Sequence, residues 1–577
     1  MNQRAKDRTL GQRLADLLWT KYARLPASTS DYSVTRNVRI PMRDGVELFA
    51  NLLEPKGPAS GTILVSSPYG YNVMGSAITG GMFACRGYRV VLIRWRGTFG
   101  SGGTFEPHMR EADDAADIVA WMREQPWFDG RFATHGFSSV GFAAWALLMD
   151  SPPELATAVI ACAPHNFGAF VYTGGAFLLS TVFEWSFATT KQEEPILPRV
   201  FAVLSSRGRI KKALAALPLV DAAEKLMDGK APWYREWVSR RDLGAPWWKR
   251  ADLTEALDRV HVPVLLQGGW QDGFLRQTLA GYARLAERGV DVALTMGPWT
   301  HAQGGAEGAR ILLPEALAWF DEHLARSSDR RRATPVKVFV SGPGEGWRDL
   351  PAWPPATVEQ ILYPRSGELL AAQPADVGEV SEFTYDPAQP TPTYGGAFVT
   401  QVSPGLTAGY TDDSALASRS DVLAFTSDPL TTELEVVGSP VVELGHSSDN
   451  PFADLFVRVS EVDAQGRSRN VSDGFVRLDP LAPQGLIRME LDAVAHRFAR
   501  NSRIRLVVAG GSHPRWERNL GTPDDPATST RMLPSHRTID LSISRVVVSI
   551  RGVDQGRADA VVESELLDQA KAEDAGA

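Results

Sequence analysis

Cysteine is nearly absent, with only Cys85 and Cys162 in 577 residues. Both stand in apolar surroundings and read as small core residues, because no CxxC pair and no Cys/His spacing offers a zinc site. A strong charge of either sign is missing too. The formal net charge of −8 is modest for this length and no basic face dominates, which argues against a nucleic-acid binder. The short basic stretches Arg207 to Lys212 and Arg330 to Arg332 read as solvated surface. No apolar run reaches the ~18 residues a membrane span needs, and the N-terminus lacks a hydrophobic core followed by a small-residue cleavage site. The expectation is therefore a cytoplasmic protein with no membrane span. No internal repeat is visible. The length exceeds one ordinary core, so about two to four domains are expected.

Within residues 1–31, Leu10, Leu14, Leu17, Leu18 and Trp19 recur at helical spacing. They predict an amphipathic helix over 9–24 that docks on its own domain, since one short stripe with few basic residues is a weak membrane anchor. From Tyr32 the pattern alternates, and Asp44-Gly45 marks the turn of a hairpin. The β-rich runs Thr62 to Ser66, Tyr88 to Ile93, 131–137, Val159 to Ala163, Val262 to Leu266 and Val292 to Met296 then alternate with helical patterns. This is the rhythm of a parallel sheet covered on both faces, here over 32–163 and 251–332. Residues 164–250 interrupt it with a helical, aromatic-rich insertion that reads as a cap. After 333 come short alternating strands bounded by turns, which predict an antiparallel sandwich over 333–558. Residues 364–420 read as long ordered loops, and the acidic, Ala-rich end from 559 as a poorly ordered tail.

The chemistry centres on Gly136-Phe137-Ser138-Ser139-Val140-Gly141, placed between a buried strand and an apolar helix. A sharp strand-to-helix turn lifts a serine hydroxyl above the sheet, and flanking glycines admit the close backbone approach it requires. The G-x-S-x-x-G spacing is one residue longer than the commonest hydrolase elbow, and alone it is weak evidence. Asp272 and His301 each fall just past the C-terminal end of another predicted strand, where open α/β sheets keep their sites. The order Ser138, Asp272, His301 is that of an α/β-hydrolase triad, in which imidazole takes the serine proton and carboxylate fixes the tautomer. The oxyanion needs donors as well. One is expected from the amide of Ser139. The second is expected from a side chain of the loop Ser67 to Tyr71, with Tyr69 preferred and Tyr71 its competitor.

These stretches resemble the cocaine-esterase-like (CocE/NonD) branch of the X-Pro dipeptidyl-peptidase family of serine hydrolases. The resemblance rests on Ile40 to Gly45, Ser67-Pro68-Tyr69, Arg96 to Gly103, Gln125 to Gly130 with the elbow after it, Gly269 to Phe274 and Gly297 to His301. In the C-terminal part it rests on Tyr385-Asp386-Pro387 and Pro514 to Asn519. It implies an α/β-hydrolase domain with a helical cap and a C-terminal β jelly roll. It also implies Trp185 and Phe274 as walls of an acyl pocket, with Phe398 reaching in from the jelly roll. Three departures stand out: Arg94 replaces the usual aspartate, Ser139 the usual tyrosine after the nucleophile, and His513 the usual phenylalanine before Pro514.

The function expected is hydrolysis of a small apolar ester or amide through an acyl-enzyme, without metal or cofactor. Two alternatives remain open. An X-Pro dipeptidyl peptidase or α-amino-acid ester hydrolase needs carboxylates near the nucleophile for the substrate's amine, and Glu184, Glu193 and Glu194 of the cap are the candidates. A non-catalytic protein would use the jelly roll to bind a ligand. The partner expected is a small molecule, and a homodimer is left open.

Overall fold

The computed structural model describes residues 5–71, 73–327, 332–400, 403 and 405–551. The tail expected from 559 lies outside them. The described residues form two compact units, the first drawn from 5–338, 397–409 and 512–532, the second from 339–396, 410–511 and 533–551.

In the first unit the strands are β1 (Lys6–Asp7), β2 (Tyr32–Pro41), β3 (Glu47–Pro55), β4 (Thr62–Ser67), β5 (Arg89–Arg94), β6 (Phe132–Phe137), β7 (Leu155–Ala161), β8 (Val264–Gln271), β9 (Val292–Thr300) and β10 (Val336–Val340). Their order is β1-β2-β3-β5-β4-β6-β7-β8-β9-β10. The pairs β1-β2, β2-β3 and β3-β5 are antiparallel, and every successive pair from β5 to β10 is parallel. Burial explains this: β4 to β9 are closed to solvent along nearly their whole length, as strands covered by helices on both faces must be. Because β4 is flanked by β5 and β6, the strand order reverses there. The loop after β4, which carries Tyr69, leaves the sheet at that reversal.

The helix Ser139–Leu148 after β6 is buried at all ten positions. An element apolar all round has no solvent face to present and serves as core. The insertion expected over 164–250 consists of helices, among them Phe167–Val171, Leu179–Thr189, Ile196–Ala215 and Pro232–Ser239. Asn166 opens the first of these by accepting the Ala169 amide on its side chain.

The second unit is an antiparallel jelly-roll sandwich. Its longest strand, Ser535–Ile550, pairs along its length with Val358–Arg365, Val380–Tyr385 and Val441–Ser448. In the opposing layer Asp454–Val462 lies between Ser468–Arg477 and Arg503–Ala509. Alternate residues such as Val442, Leu444, Leu455, Val457, Leu506 and Val508 meet in its core.

Four features differ from the sequence reading. Val336 to Val338 extend the parallel sheet beside Leu294 to Met296 of β9, and do not open the sandwich. A short run of alternating valines fits either setting until its hydrogen-bond partner is known. The span 364–420 is not all loop, since it holds the strands Leu369–Ala371 and Val380–Tyr385. Residues 397–409 and 512–532, expected in the sandwich, pack with the first unit. The N-terminal helix, Leu10–Tyr22, turns its leucines outward: Leu10 is 84% exposed and Leu14 54%. It docks through a polar residue, because Asp16 is buried between Arg8 at 2.7 Å and the Tyr32 hydroxyl at 2.9 Å. Of the apolar stripe only Trp19 packs against the core.

Candidate active site

Ser138 stands between β6 and the buried helix with φ 63° and ψ −131°. A non-glycine residue in that region is strained and persists only where its surroundings hold it. Its amide donates to the Ala161 carbonyl at 3.0 Å, and its carbonyl accepts from Gly141 and Phe142 at 2.8 and 3.1 Å. The two glycines of the motif are steric requirements. A Cβ on Gly136 would stand 2.2 Å from the Val140 carbonyl oxygen, and one on Gly141 would stand 2.4 Å from the Ala163 Cβ.

Three strand ends converge here. Asp272 follows β8 and is 1% exposed. Its Oδ1 accepts the Phe274 amide at 2.7 Å, and its Oδ2 faces His301 Nδ1 at 2.7 Å. His301 opens the helix after β9, where the Thr300 side chain caps the Gln303 amide. Its Nε2 lies 3.0 Å from Ser138 Oγ. The Trp299 indole donates to the Gly268 carbonyl at 3.0 Å, which ties the end of β9 to β8 and fixes the spacing of the two loops. Ser138, His301 and Asp272 thus stand in one line of hydrogen bonds, with the imidazole between hydroxyl and carboxylate.

Beside that line the two tyrosines separate. The Tyr69 hydroxyl is 3.4 Å from Ser139 Oγ and accepts from the Trp185 indole at 3.0 Å. Burial pushes its pKa up, so the phenol keeps its proton and remains a donor. The Tyr71 hydroxyl instead donates to the Ile93 carbonyl at 3.2 Å, away from Ser138. The cavity over Ser138 encloses about 470 Å³ of empty space, open mouth included. Phe167, Phe170, Trp185, Trp237, Phe274 and Val399 form most of its wall. Phe398 does not line it. Its ring is buried under the Arg515 guanidinium, 5.5 Å away, and its neighbour Val399 faces the cavity.

His108 was not marked in the sequence, where it is a lone histidine outside the motifs above. It lines the cavity, with Nε2 3.2 Å from Ser139 Oγ. Burial lowers its pKa to about 3, opposed only in part by the Pro107 carbonyl, so the ring is neutral. Nearby Glu111 is pushed up to about 8 by burial. The departure at Arg94 is resolved without a carboxylate. Its guanidinium is buried and donates to the side-chain oxygens of Asn37 at 2.9 Å and Asn51 at 3.0 Å. His513 is half-buried, with Nε2 3.2 Å from the Arg518 guanidinium.

Among the described residues, Cys162, Asp272 and His301 are the one group with metal-ligand spacing, their candidate atoms lying within 4.8 Å of one another. The donor set fits a metal poorly. His301 Nδ1 and Asp272 Oδ2 already engage each other, and burial followed by the Asp272 charge raises the Cys162 thiol well above its usual range, which keeps it protonated.

Residues 44–303 match the family model of the X-Pro dipeptidyl-peptidase (S15 family), and residues 330–542 match that of the X-Pro dipeptidyl-peptidase C-terminal non-catalytic domain. A cocaine esterase from a Rhodococcus species is 28% identical over 546 residues, covering 85% of this chain and 93% of its own. Two solved structures share the fold. An α-amino acid ester hydrolase superposes with a TM-score of 0.77 at 21% identity, covering 91% of this chain and 98% of its own. A CocE/NonD family hydrolase from Staphylococcus aureus does so at 0.66 and 16%, covering 90% and 94%.

Proposed function

The chain belongs to the X-Pro dipeptidyl-peptidase family of serine hydrolases, in its cocaine-esterase-like (CocE/NonD) branch, and on that premise we propose that it hydrolyses esters of small, uncharged apolar acyl groups through a Ser138 acyl-enzyme. Ser138 Oγ attacks the ester carbonyl while its proton passes to His301 Nε2. Asp272 holds the tautomer with the proton on Nδ1 and stabilises the imidazolium. The tetrahedral oxyanion accepts hydrogen bonds from the Ser139 amide and the Tyr69 hydroxyl. Collapse expels the alcohol, which takes its proton from His301. Water, deprotonated by the same imidazole, then attacks the acyl-enzyme and releases the carboxylic acid with Ser138 restored.

The observation that carries this reading is the hydrogen-bonded line Asp272, His301, Ser138 opening into a cavity with no carboxylate among its described wall residues. An α-amino-acid ester or an X-Pro dipeptide brings a cationic amine, and burying that charge without a partner costs several kcal/mol. The three acids of the cap are engaged elsewhere. Glu184 accepts from the Thr400 hydroxyl at 3.2 Å, Glu193 from the Phe99 amide at 2.8 Å and Glu194 from Lys191 at 3.2 Å.

A panel of nitrophenyl esters of graded acyl size, run beside α-amino esters and an X-Pro anilide, tests the substrate class. Preference for the neutral esters is expected. Faster turnover of the α-amino ester or the anilide would overturn it. Labelling by a fluorophosphonate, lost in Ser138→Ala, checks the nucleophile separately.

A further inference from the structure

The residue after the nucleophile is a serine here, with a short hydroxyl side chain, and the structure gives that hydroxyl an unusual neighbourhood. Ser139 Oγ is 3.4 Å from the Tyr69 hydroxyl on one side and 3.2 Å from His108 Nε2 on the other. Tyr69 in turn accepts from the Trp185 indole at 3.0 Å. Four side chains therefore form a line of hydrogen bonds, Trp185 to Tyr69 to Ser139 to His108, alongside the line that joins Ser138 to Asp272.

The His108 ring is fixed in place. It stacks on Phe167 with centroids 3.9 Å apart and planes 12° from parallel, and it meets Phe142 edge-on at 5.0 Å. Its backbone amide donates to Glu111 Oε1 at 3.1 Å, which holds the residue at a φ of 66°. The ring is neutral, and with its proton on Nδ1, toward the Pro107 carbonyl though outside ordinary hydrogen-bond geometry, Nε2 is left as an acceptor. Its working polar atom is therefore Nε2, and this is turned toward Ser139.

We propose that His108 is a positioning residue for the oxyanion hole: by accepting the Ser139 hydroxyl proton it leaves Ser139 Oγ as the resting acceptor for the Tyr69 hydroxyl. The Trp185 indole occupies one side of the Tyr69 oxygen, so the phenol proton points either to Ser139 Oγ or to the oxyanion. With His108 in place, Ser139 keeps a partner when the phenol proton swings to the oxyanion, and the swing leaves no buried hydroxyl unpaired. The same bond pins the side chain of the residue whose amide is the other donor. Preorganised donors need little rearrangement at the moment of reaction. The inference rests on the reading that Tyr69 and the Ser139 amide form the oxyanion hole.

The test is steady-state kinetics on a nitrophenyl ester, with active sites counted by fluorophosphonate titration. His108→Phe keeps the stack on Phe167 and removes the acceptor, and is expected to lower kcat about tenfold at unchanged KM. His108→Gln restores an acceptor near the Nε2 position and is expected to recover most of the loss. Ser139→Ala should cost as much as His108→Phe, and adding His108→Phe to it should cost little more. Silent His108→Phe, equal losses in His108→Phe and His108→Gln, or additive losses with Ser139→Ala would each overturn the proposal. If His108→Phe does not fold, His108→Gln alone and in the Ser139→Ala background gives the same cycle. Tyr69→Phe separates the two levels. A silent Tyr69→Phe fails the oxyanion reading, whereas a costly Tyr69→Phe with silent His108→Phe fails only this inference.

Discussion

The core of the sandwich and the cavity of the first unit handle buried polarity in different ways. In the sandwich, Arg458 is fully buried and is held by charge: Asp473 takes it at 2.7 and 3.0 Å, and Asp413 at 3.3 Å. At the cavity of the first unit the polar groups joined through Ser139 are neutral, namely the phenol of Tyr69, the hydroxyl of Ser139 and the imidazole of His108. A charge taken out of water costs more than most single contacts return unless its partners are complete. The sandwich meets that condition. An oxyanion site is better served by neutral donors and acceptors, because a permanent charge there would act before any substrate charge develops; the carboxylate of Asp272 is set behind His301, on the far side of the imidazole. The contrast predicts that polar substitutions in the sandwich cost stability, whereas polar substitutions at the cavity cost rate.

The largest effect tests the second half of that statement. Ser138→Ala should lower kcat by about 10⁶ and leave the thermal midpoint nearly unchanged or raise it, since the residue that suffers the strained backbone contributes only one hydroxyl. Residual turnover within tenfold of the parent would end the mechanism. Asp272→Asn should cost about 10⁴ in kcat with the fold retained, readable by circular dichroism beside the ester assay.

For the sandwich the expected signature is reversed. Asp473→Asn leaves a buried guanidinium short of charge and should lower stability by about 3–5 kcal/mol, measured by urea titration, while the surviving folded molecules keep their kcat. A loss of kcat without loss of stability would contradict the comparison. Tyr69→Phe then returns to the cavity, where kcat should fall by about 10² to 10³ with KM and stability preserved.

Acid sharpens the contrast further. Burial holds His108 and His513 near pKa 3 and His135 and His165 near 4 in the first unit, while the sandwich has His446 near 4. Depressed histidines favour the folded state fully above their unfolded value near 6.5. That contribution is lost as pH falls from 6.5 toward the folded value, by about 1.4 kcal/mol per pH unit for each group. His323 of the first unit is lowered by burial as well, and with five such groups against one the first unit should lose amide protection earlier between pH 6.5 and 4. Hydrogen exchange followed by mass spectrometry would show it, and earlier opening of the sandwich would contradict it.

Legibility in the sequence followed the range of the interactions. The ends of β4 and β6 were readable because each buried run is followed at once by proline or a polar residue, whereas β8 and β9 run on past the expected Leu266 and Met296 to Gln271 and Thr300, through glycines that local sequence marks as turn. The elbow was readable for the same reason as the end of β6. Tyr69 was preferred to Tyr71 in the sequence, but what separates them, whether the hydroxyl meets Ser139 or the Ile93 carbonyl, belongs to the fold. Val399 stands at the cavity in place of Phe398, whose ring lies against the Arg515 guanidinium, a partner distant in sequence. His108 was missed because its partner, Ser139, is distant in sequence and became visible only when the chain folded. The N-terminal leucines misled for a different reason: periodicity reports which residues share a face, and Asp16, paired with Arg8 and Tyr32, decided which face docked.

The contact between Gly141 and Ala163 has a meaning for descent as well as for packing. A Cβ at 141 would overlap the one at 163, so the two positions share a single allowance of volume. A lineage that enlarges Ala163 has no room left to give at Gly141, and the helix that begins at Ser139 would have to shift, carrying the nucleophile with it. The motif is therefore longer than its six letters. In aligned relatives that keep this elbow, positions 141 and 163 should change together or stay small together, and a pair in which both are large would mark a member whose serine no longer points where Ser138 does.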